Sequence, residues 1–392
     1  MTRGRAAVLA GMAASLVGIG LARFAYTPLI PVVIGAGWFG PGEAAYLGAA
    51  NLVGYLAGAL LAAPIVRRVV ATDVVRAMML AVALSFLACA WKLPFAWFFV
   101  WRFVAGFAGG AIMTLAAPIV LAHTPPAMRG RVGGVILTGV GLGVVAAGTL
   151  VPLLLGFGVT AAWLGIGAFS LVLTLLAWRA WPAAPRVQAA ATGKPPATAW
   201  LLALQYGFCA IGLVPHMVFL VDYVARGLGR GIAAGAVFFL LYGAGALVGP
   251  VIAGFVCDRI GVSRTLRYAI PVMAVVVGLP VLSSHDLVIG ISSLLAGAYT
   301  PGIVSLVLAR AQEIATGDPL RHRAIWGAAT ASYAAFQAVA AYIMAYLFAR
   351  WPGAYDALFA AGFAALLIAA AIGWLPAMRR SVFSAEPGRS TR

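Results

Sequence analysis

Two arginines, Arg23 and Arg102, lie inside long apolar stretches of this 392-residue chain. A guanidinium at the centre of a bilayer costs from about 2.5 to more than 10 kcal/mol on an exposed helix. It therefore turns toward protein or an aqueous cavity. Its planar fork of N–H donors fits a carboxylate or a phosphate bidentately. No Asp or Glu accompanies the pair: all nine acidic residues fall in loops or within a turn or two of a stretch's end, Glu43 and Asp222 being the nearest. A cavity with two arginines and no buried carboxylate attracts anions, so the pair predicts a small organic anion as ligand. The structural alternative ties Arg102 to backbone carbonyls or to Glu43, and has Arg23 close a pair of helices.

His216 titrates near neutrality when unperturbed and could carry a proton; it could equally be a hydrogen-bonded packing residue. Asp222, near the end of the same stretch, and Glu43 are the other proton-coupling candidates. Tyr26, Asn51, Tyr55, Tyr299, Tyr333 and Gln337 add neutral polar groups within the apolar stretches. Asn51 and Tyr55 stand at i, i+4 and share one helix face. Such side chains line a binding cavity or hydrogen-bond a neighbouring helix. Cys89, Cys209 and Cys257 stand at no metal-ligand spacing and read as small apolar residues. With no G-x-x-x-x-G-K-[ST] run for a nucleotide phosphate, neither a metal nor a cofactor is expected.

The elements that position these groups follow from composition. Apolar residues make up 64% of the chain and charged ones 9%, against about half and a quarter in a soluble globular domain. A water-soluble fold could not hide that much apolar surface; a bilayer lets side chains be apolar on every side. Breaks at Pro, Gly and charge clusters divide the sequence into twelve spans: 6–35, 42–64, 73–91, 95–122, 131–156, 158–179, 198–224, 232–256, 265–284, 287–312, 323–349 and 355–375. The first is too long for a signal-peptide core and reads as an uncleaved span with tilt or protruding ends.

Orientation follows from Lys and Arg asymmetry. With the N-terminus inside, alternate loops place 20 of the 26 basic residues in the cytoplasm and four outside, Arg23 and Arg102 being the remaining two. The net charge of +17 is therefore a topology signal, and nucleic acid is not an expected partner. Both termini are expected in the cytoplasm, with the lipid bilayer of a bacterial inner membrane around a monomer.

The chain also nearly repeats itself at an offset of 192. Gly20-Leu21 matches Gly212-Leu213, Arg67 matches Arg259, and Arg129-Gly130-Arg131 matches Arg321-His322-Arg323. Parallel repeats of six helices place a substrate site between the halves. The domains read as a six-helix bundle over 1–180, a Pro- and Ala-rich linker over 181–197, and a second bundle with a short tail over 198–392.

After span 8 the chain reads Gly254-Phe255-Val256-Cys257-Asp258-Arg259-Ile260-Gly261-Val262-Ser263-Arg264. This resembles the G-x-x-x-D-R-x-G-x-x-R signature of the major facilitator superfamily, in its second-half copy. The first-half copy, Ala62 to Arg68, keeps a basic pair but has no acidic partner in register. Trp101-Arg102-Phe103-Val104-Ala105-Gly106 is similar to the family's R-x-x-x-G motif of helix 4. Arg23-Phe24-Ala25-Tyr26-Thr27-Pro28 resembles a bacterial branch whose members are mostly without a known substrate. The resemblance implies an all-α fold of twelve helices in two pseudo-symmetric bundles. It further implies that Gly254, Asp258, Arg259, Gly261 and Arg264 latch the cytoplasmic helix ends, and that helices 1 and 4 face a central cavity. The expected function is secondary active transport of a small solute by alternating access, coupled to protons. Drug or metabolite efflux by proton antiport is the alternative within transport, and an integral-membrane enzyme acting on lipid is the alternative of another class.

Overall fold

A lipid-spanning backbone must satisfy its own N–H and C=O groups, which a run of apolar residues achieves as a helix. The computed structural model describes residues 3–125, 128–183, 196–316 and 318–375, and no strand occurs among them. Twelve of its helices are long and apolar enough to cross a membrane. They are α1 (Gly4–Gly35), α2 (Pro41–Ile65), α3 (Ala71–Ala88), α4 (Phe95–Leu121), α5 (Val132–Leu155) and α6 (Val159–Ala177). The second six are α7 (Ala197–Gly227), α8 (Gly231–Ile260), α9 (Val262–Leu282), α10 (Asp286–Ala315), α11 (Leu320–Arg350) and α12 (Tyr355–Gly373). Each falls within a few residues of a span read from the sequence. Most of the linker and the C-terminal tail lie outside the described residues.

The two halves are built on the same crossing. In the first, a Cβ on Gly54, Gly58 or Gly106 would stand 2.1, 1.9 and 1.9 Å from the carbonyl oxygens of Phe103, Phe107 and Asn51. In the second, Gly245, Gly249 and Gly297 meet the carbonyls of Leu294, Ala298 and Tyr242 at 1.9, 2.0 and 1.9 Å. Only glycine lets α2 lie on α4, and α8 on α10, at this separation. All six glycine–carbonyl pairs obey one offset, 191 rather than the 192 read from the loop ends. At that offset Arg102 falls on Ser293, so the repeat does not extend to the buried charge.

Helices α1 and α7, the first of each half, are irregular where they cross the middle of the bundle. Residues Leu16–Leu21 of α1 are π-helical, a turn follows at Ala25, and the helix resumes at Tyr26–Gly35. Pro28 has no N–H for the Phe24 carbonyl and its ring crowds that group, which accounts for the break. In α7 the π-helical stretches are Pro215–Phe219 and Tyr223–Gly227, the first opening on a proline. Backbone this irregular is tolerated at membrane depth where protein surrounds it. These are the two most enclosed spans, with 72% and 89% of their most apolar stretch buried against at most 61% elsewhere.

The arginine-rich loops lie on one side of the bundle, here the basic face. On the opposite, far side the halves close on each other. Thr27 Oγ1 donates to the Met217 carbonyl at 2.6 Å, joining α1 to α7. Tyr46 packs on Tyr342, and a Cβ on Gly42 would reach Ala349, joining α2 to α11. Gly141 and Gly148 of α5 abut Leu247 and Leu240 of α8. Toward the basic face, Gly134 of α5, Gly254 of α8 and Gly327 of α11 have open space where a Cβ would stand. These contacts between the halves thus lie toward the far side and the middle of the bundle.

Candidate functional site

Arg23 follows the π-helical stretch of α1 and points into the seam. Its guanidinium lies 5.5 Å from the ring centroid of Tyr55 on α2 and 5.6 Å from that of Phe24. Its one polar contact is a weak donation from Nη2 to the Met217 sulfur of α7 at 3.8 Å. Among the described residues no oxygen accepts from it, and its Nε is buried without a partner. Tyr206 of α7, Tyr242 of α8 and Tyr333 of α11 are close enough to interact with its charge. Gln337, one turn beyond Tyr333, donates to the Met217 sulfur at 3.4 Å. The residue itself is only half-buried. A cation with no counter-charge thus stands among aromatic faces from both halves, where an anion is the missing complement.

Arg102 does something else. It is 2% exposed, donates from Nη1 to the Ala22 carbonyl at 3.1 Å, and stacks 4.5 Å from the ring centroid of Tyr26. Tyr26 donates to the Ala44 carbonyl and packs on the fully buried Trp163. Asn51 Nδ2 donates to the Ala22 and Arg102 carbonyls, both at 3.2 Å. These groups tie α1, α2 and α4 together inside the first half. Arg102 is therefore held by a backbone carbonyl, the structural alternative of the sequence reading, while its Nε and Nη2 are buried without a partner. Tyr26 and Asn51 still border a small cavity, of roughly water size, beside Arg23, Thr27 and Met217.

The proton-coupling candidates lie apart from this cluster. His216 is fully buried within the second half, its ring edge-on to Phe359. Its Nε2 is 2.8 Å from Ser292 Oγ, and that hydroxyl donates to the Val276 carbonyl at 2.7 Å. With its proton so committed, the serine accepts from the imidazole, and Nδ1 is left without a partner. Asp222 is fully buried at the far end of α7, held by Arg226 Nε and Nη2 at 2.5 and 3.0 Å and by the Tyr355 hydroxyl at 2.7 Å. Glu43 is exposed on the far side, where it accepts from the Gly40 amide at 2.9 Å and caps α2. Tyr299 is half-buried on α10, beside Thr300, whose hydroxyl meets that of Tyr242 at 2.5 Å.

The motif after α8 makes its turn on Gly261 at φ +83°, a conformation glycine adopts without strain. Asp258, Arg259 and Arg264 are exposed, Arg259 lying 3.9 Å from the Phe255 ring centroid. Asp258 makes no ion pair among the described residues. In the degenerate first copy, Asp73 pairs with Arg76 at 2.8 Å, not with Arg67 or Arg68.

Of the site residues read from the sequence, Arg23, Tyr55, Tyr333 and Gln337 converge, with Tyr26 and Asn51 behind them. Tyr206 and Tyr242 join the cluster and were legible only as polar groups in spans. Met217 gave no signal, since a methionine in an apolar run reads as core.

A family model described as "Uncharacterised MFS-type transporter YbfB" matches residues 15–373. The structure is similar to the crystal structure of a bacterial homologue of the human lysosomal transporter Spinster in an inward-facing and unoccupied conformation. The TM-score is 0.70 at 16% identity, covering 97% of this chain and 98% of that one. A comparison with curated proteins finds no match. A twelve-helix fold, a two-half seam and a family match over nearly the whole length converge: this chain is a multi-pass membrane transporter of the major facilitator superfamily, in the YbfB-type family.

Proposed function

We propose that the chain is a secondary active transporter of a small organic anion, moved across the bacterial inner membrane by alternating access. The observation that carries this reading is Arg23: a half-buried guanidinium in the seam whose Nε has no partner and whose Nη2 meets only a thioether. Two cation–π contacts of about 0.5–2 kcal/mol each help to hold the charge at this depth, yet they leave the in-plane N–H donors free. A carboxylate satisfies those donors without displacing either ring. The basic face, with most of the Lys and Arg, is the cytoplasmic one. Rocking of the halves about the seam then presents Arg23 to one side of the membrane at a time. The proton gradient is the inferred energy source, since the sequence holds no nucleotide-phosphate cradle.

Uptake of radiolabelled organic anions into proteoliposomes, under an imposed proton gradient, tests the reading. Arg23→Gln is expected to abolish an uptake that the native protein supports. Native-like uptake by Arg23→Gln would overturn the assignment.

A further inference from the structure

The charge count and the ring geometry around Arg23 narrow the ligand class. This step rests on the anion reading above. The two mid-span arginines predicted a small organic anion that both could face. In the fold Arg102 is enclosed behind the Tyr26 ring and bonded to Ala22, so one guanidinium faces the seam. A second carboxylate on a ligand would find no cation among the described neighbours of Arg23. It would be desolvated with no counter-charge to offset the cost.

What the neighbours offer instead is a cluster of aromatic rings. Tyr206 and Tyr333 meet with centroids 4.4 Å apart, and Trp326 continues the stack on Tyr206 at 6.4 Å and an interplanar angle of 28°. Tyr333 and Tyr55 lie within electrostatic reach of each other and of Arg23, so the rings lead up to the guanidinium. Trp326 is half-buried and stands two turns closer to the basic face than Tyr333, about 10 Å along α11. A ligand entering from the basic face would pass Trp326 before reaching Arg23. Beside these rings the Tyr242 hydroxyl is already engaged with Thr300, and the Gln337 amide donates to the Met217 sulfur and to the Tyr333 hydroxyl. A flat apolar ring packs against such a cluster in offset or edge-on geometry.

We infer that the substrate is an aromatic monocarboxylate, its carboxylate on the Arg23 fork and its ring against the Trp326–Tyr206–Tyr333 stack, with Trp326 determining specificity. The test is ligand binding to the purified full-length protein, read as melting shifts and dissociation constants. The probes are benzoate, phenylacetate, indole-3-acetate, hexanoate, succinate and neutral benzamide. The aromatic monocarboxylates are expected to bind at least about tenfold more tightly than hexanoate, succinate or benzamide. Trp326→Leu, at a half-buried position that tolerates truncation, should weaken the aromatic acids about tenfold and leave hexanoate unchanged, and Trp326→Phe should restore most of the loss. Hexanoate or succinate binding as tightly as the aromatic acids, while Arg23→Gln still abolishes binding, would overturn the aromatic inference and leave the anion reading standing. Anion binding that survives Arg23→Gln would remove both. Absence of binding by every aromatic acid at millimolar concentration would also overturn the inference.

Discussion

Asp222 offers the sharpest separation of a structural role from a transport role. It accepts two hydrogen bonds from Arg226 and one from Tyr355, at 2.5, 3.0 and 2.7 Å, with its own side chain fully enclosed. Asp222→Asn keeps one acceptor oxygen, enough for the Tyr355 hydroxyl, but turns an amide donor toward the guanidinium. Removing one partner of a buried pair costs about 3–5 kcal/mol. The Arg226 side chain is 30% exposed and can regain water, which lowers the expected loss to about 2 kcal/mol. At about 2–4 °C per kcal/mol for a unit the size of one bundle, the melting midpoint should fall by about 4–8 °C. The assay is fluorescence-detected size exclusion of detergent-solubilised protein after graded heating, with proton-driven uptake measured in parallel. The pair lies within the second half, so the pH profile of uptake should be unchanged per folded molecule. A native melting midpoint combined with loss of proton-driven uptake would refute this reasoning and make Asp222 a proton carrier.

Three further outcomes follow from the geometry. Gly106→Leu and Gly297→Leu each place a side chain against a carbonyl 1.9 Å from the Cβ position, so both should abolish the folded monodisperse peak in size exclusion. Arg102→Met should leave anion binding within about threefold and stability within about 1 kcal/mol, because it removes a buried guanidinium with two unpartnered nitrogens and Ala22 keeps its bond from Asn51. Loss of binding in a stably folded Arg102→Met protein would restore Arg102 to the ligand. Of the three cysteines, Cys89 and Cys209 are buried and Cys257 is half-buried near the basic face. A membrane-impermeant maleimide should therefore label Cys257 alone, and only from the cytoplasmic side; labelling from outside would invert the proposed orientation.

The twelve helices were legible in the sequence because lipid leaves an apolar backbone little choice but to satisfy itself locally, and Gly, Pro and charge punctuate the result. The Gly261 turn was legible for a similar reason: a required positive φ writes itself as a glycine. That Arg23 and Arg102 lie well inside spans could also be read directly. Their partition could not. Arg23 and Arg102 are chemically identical and come out at similar depth, so neither spacing nor type tells which one faces the seam. What separates them is the close crossing of α2 on α4, which brings Asn51 and Arg102 against α1, and the broken backbone of α1, which leaves the Ala22 carbonyl in their reach while Arg23 turns toward α7. His216 and Asp222 likewise read as titratable groups near a cavity until their partners, Ser292 on α10 and Tyr355 on α12, came from helices distant in sequence. Element type and charge are local properties of the chain. Which polar group is spent on holding helices together, and which is left for a ligand, depends on long-range packing.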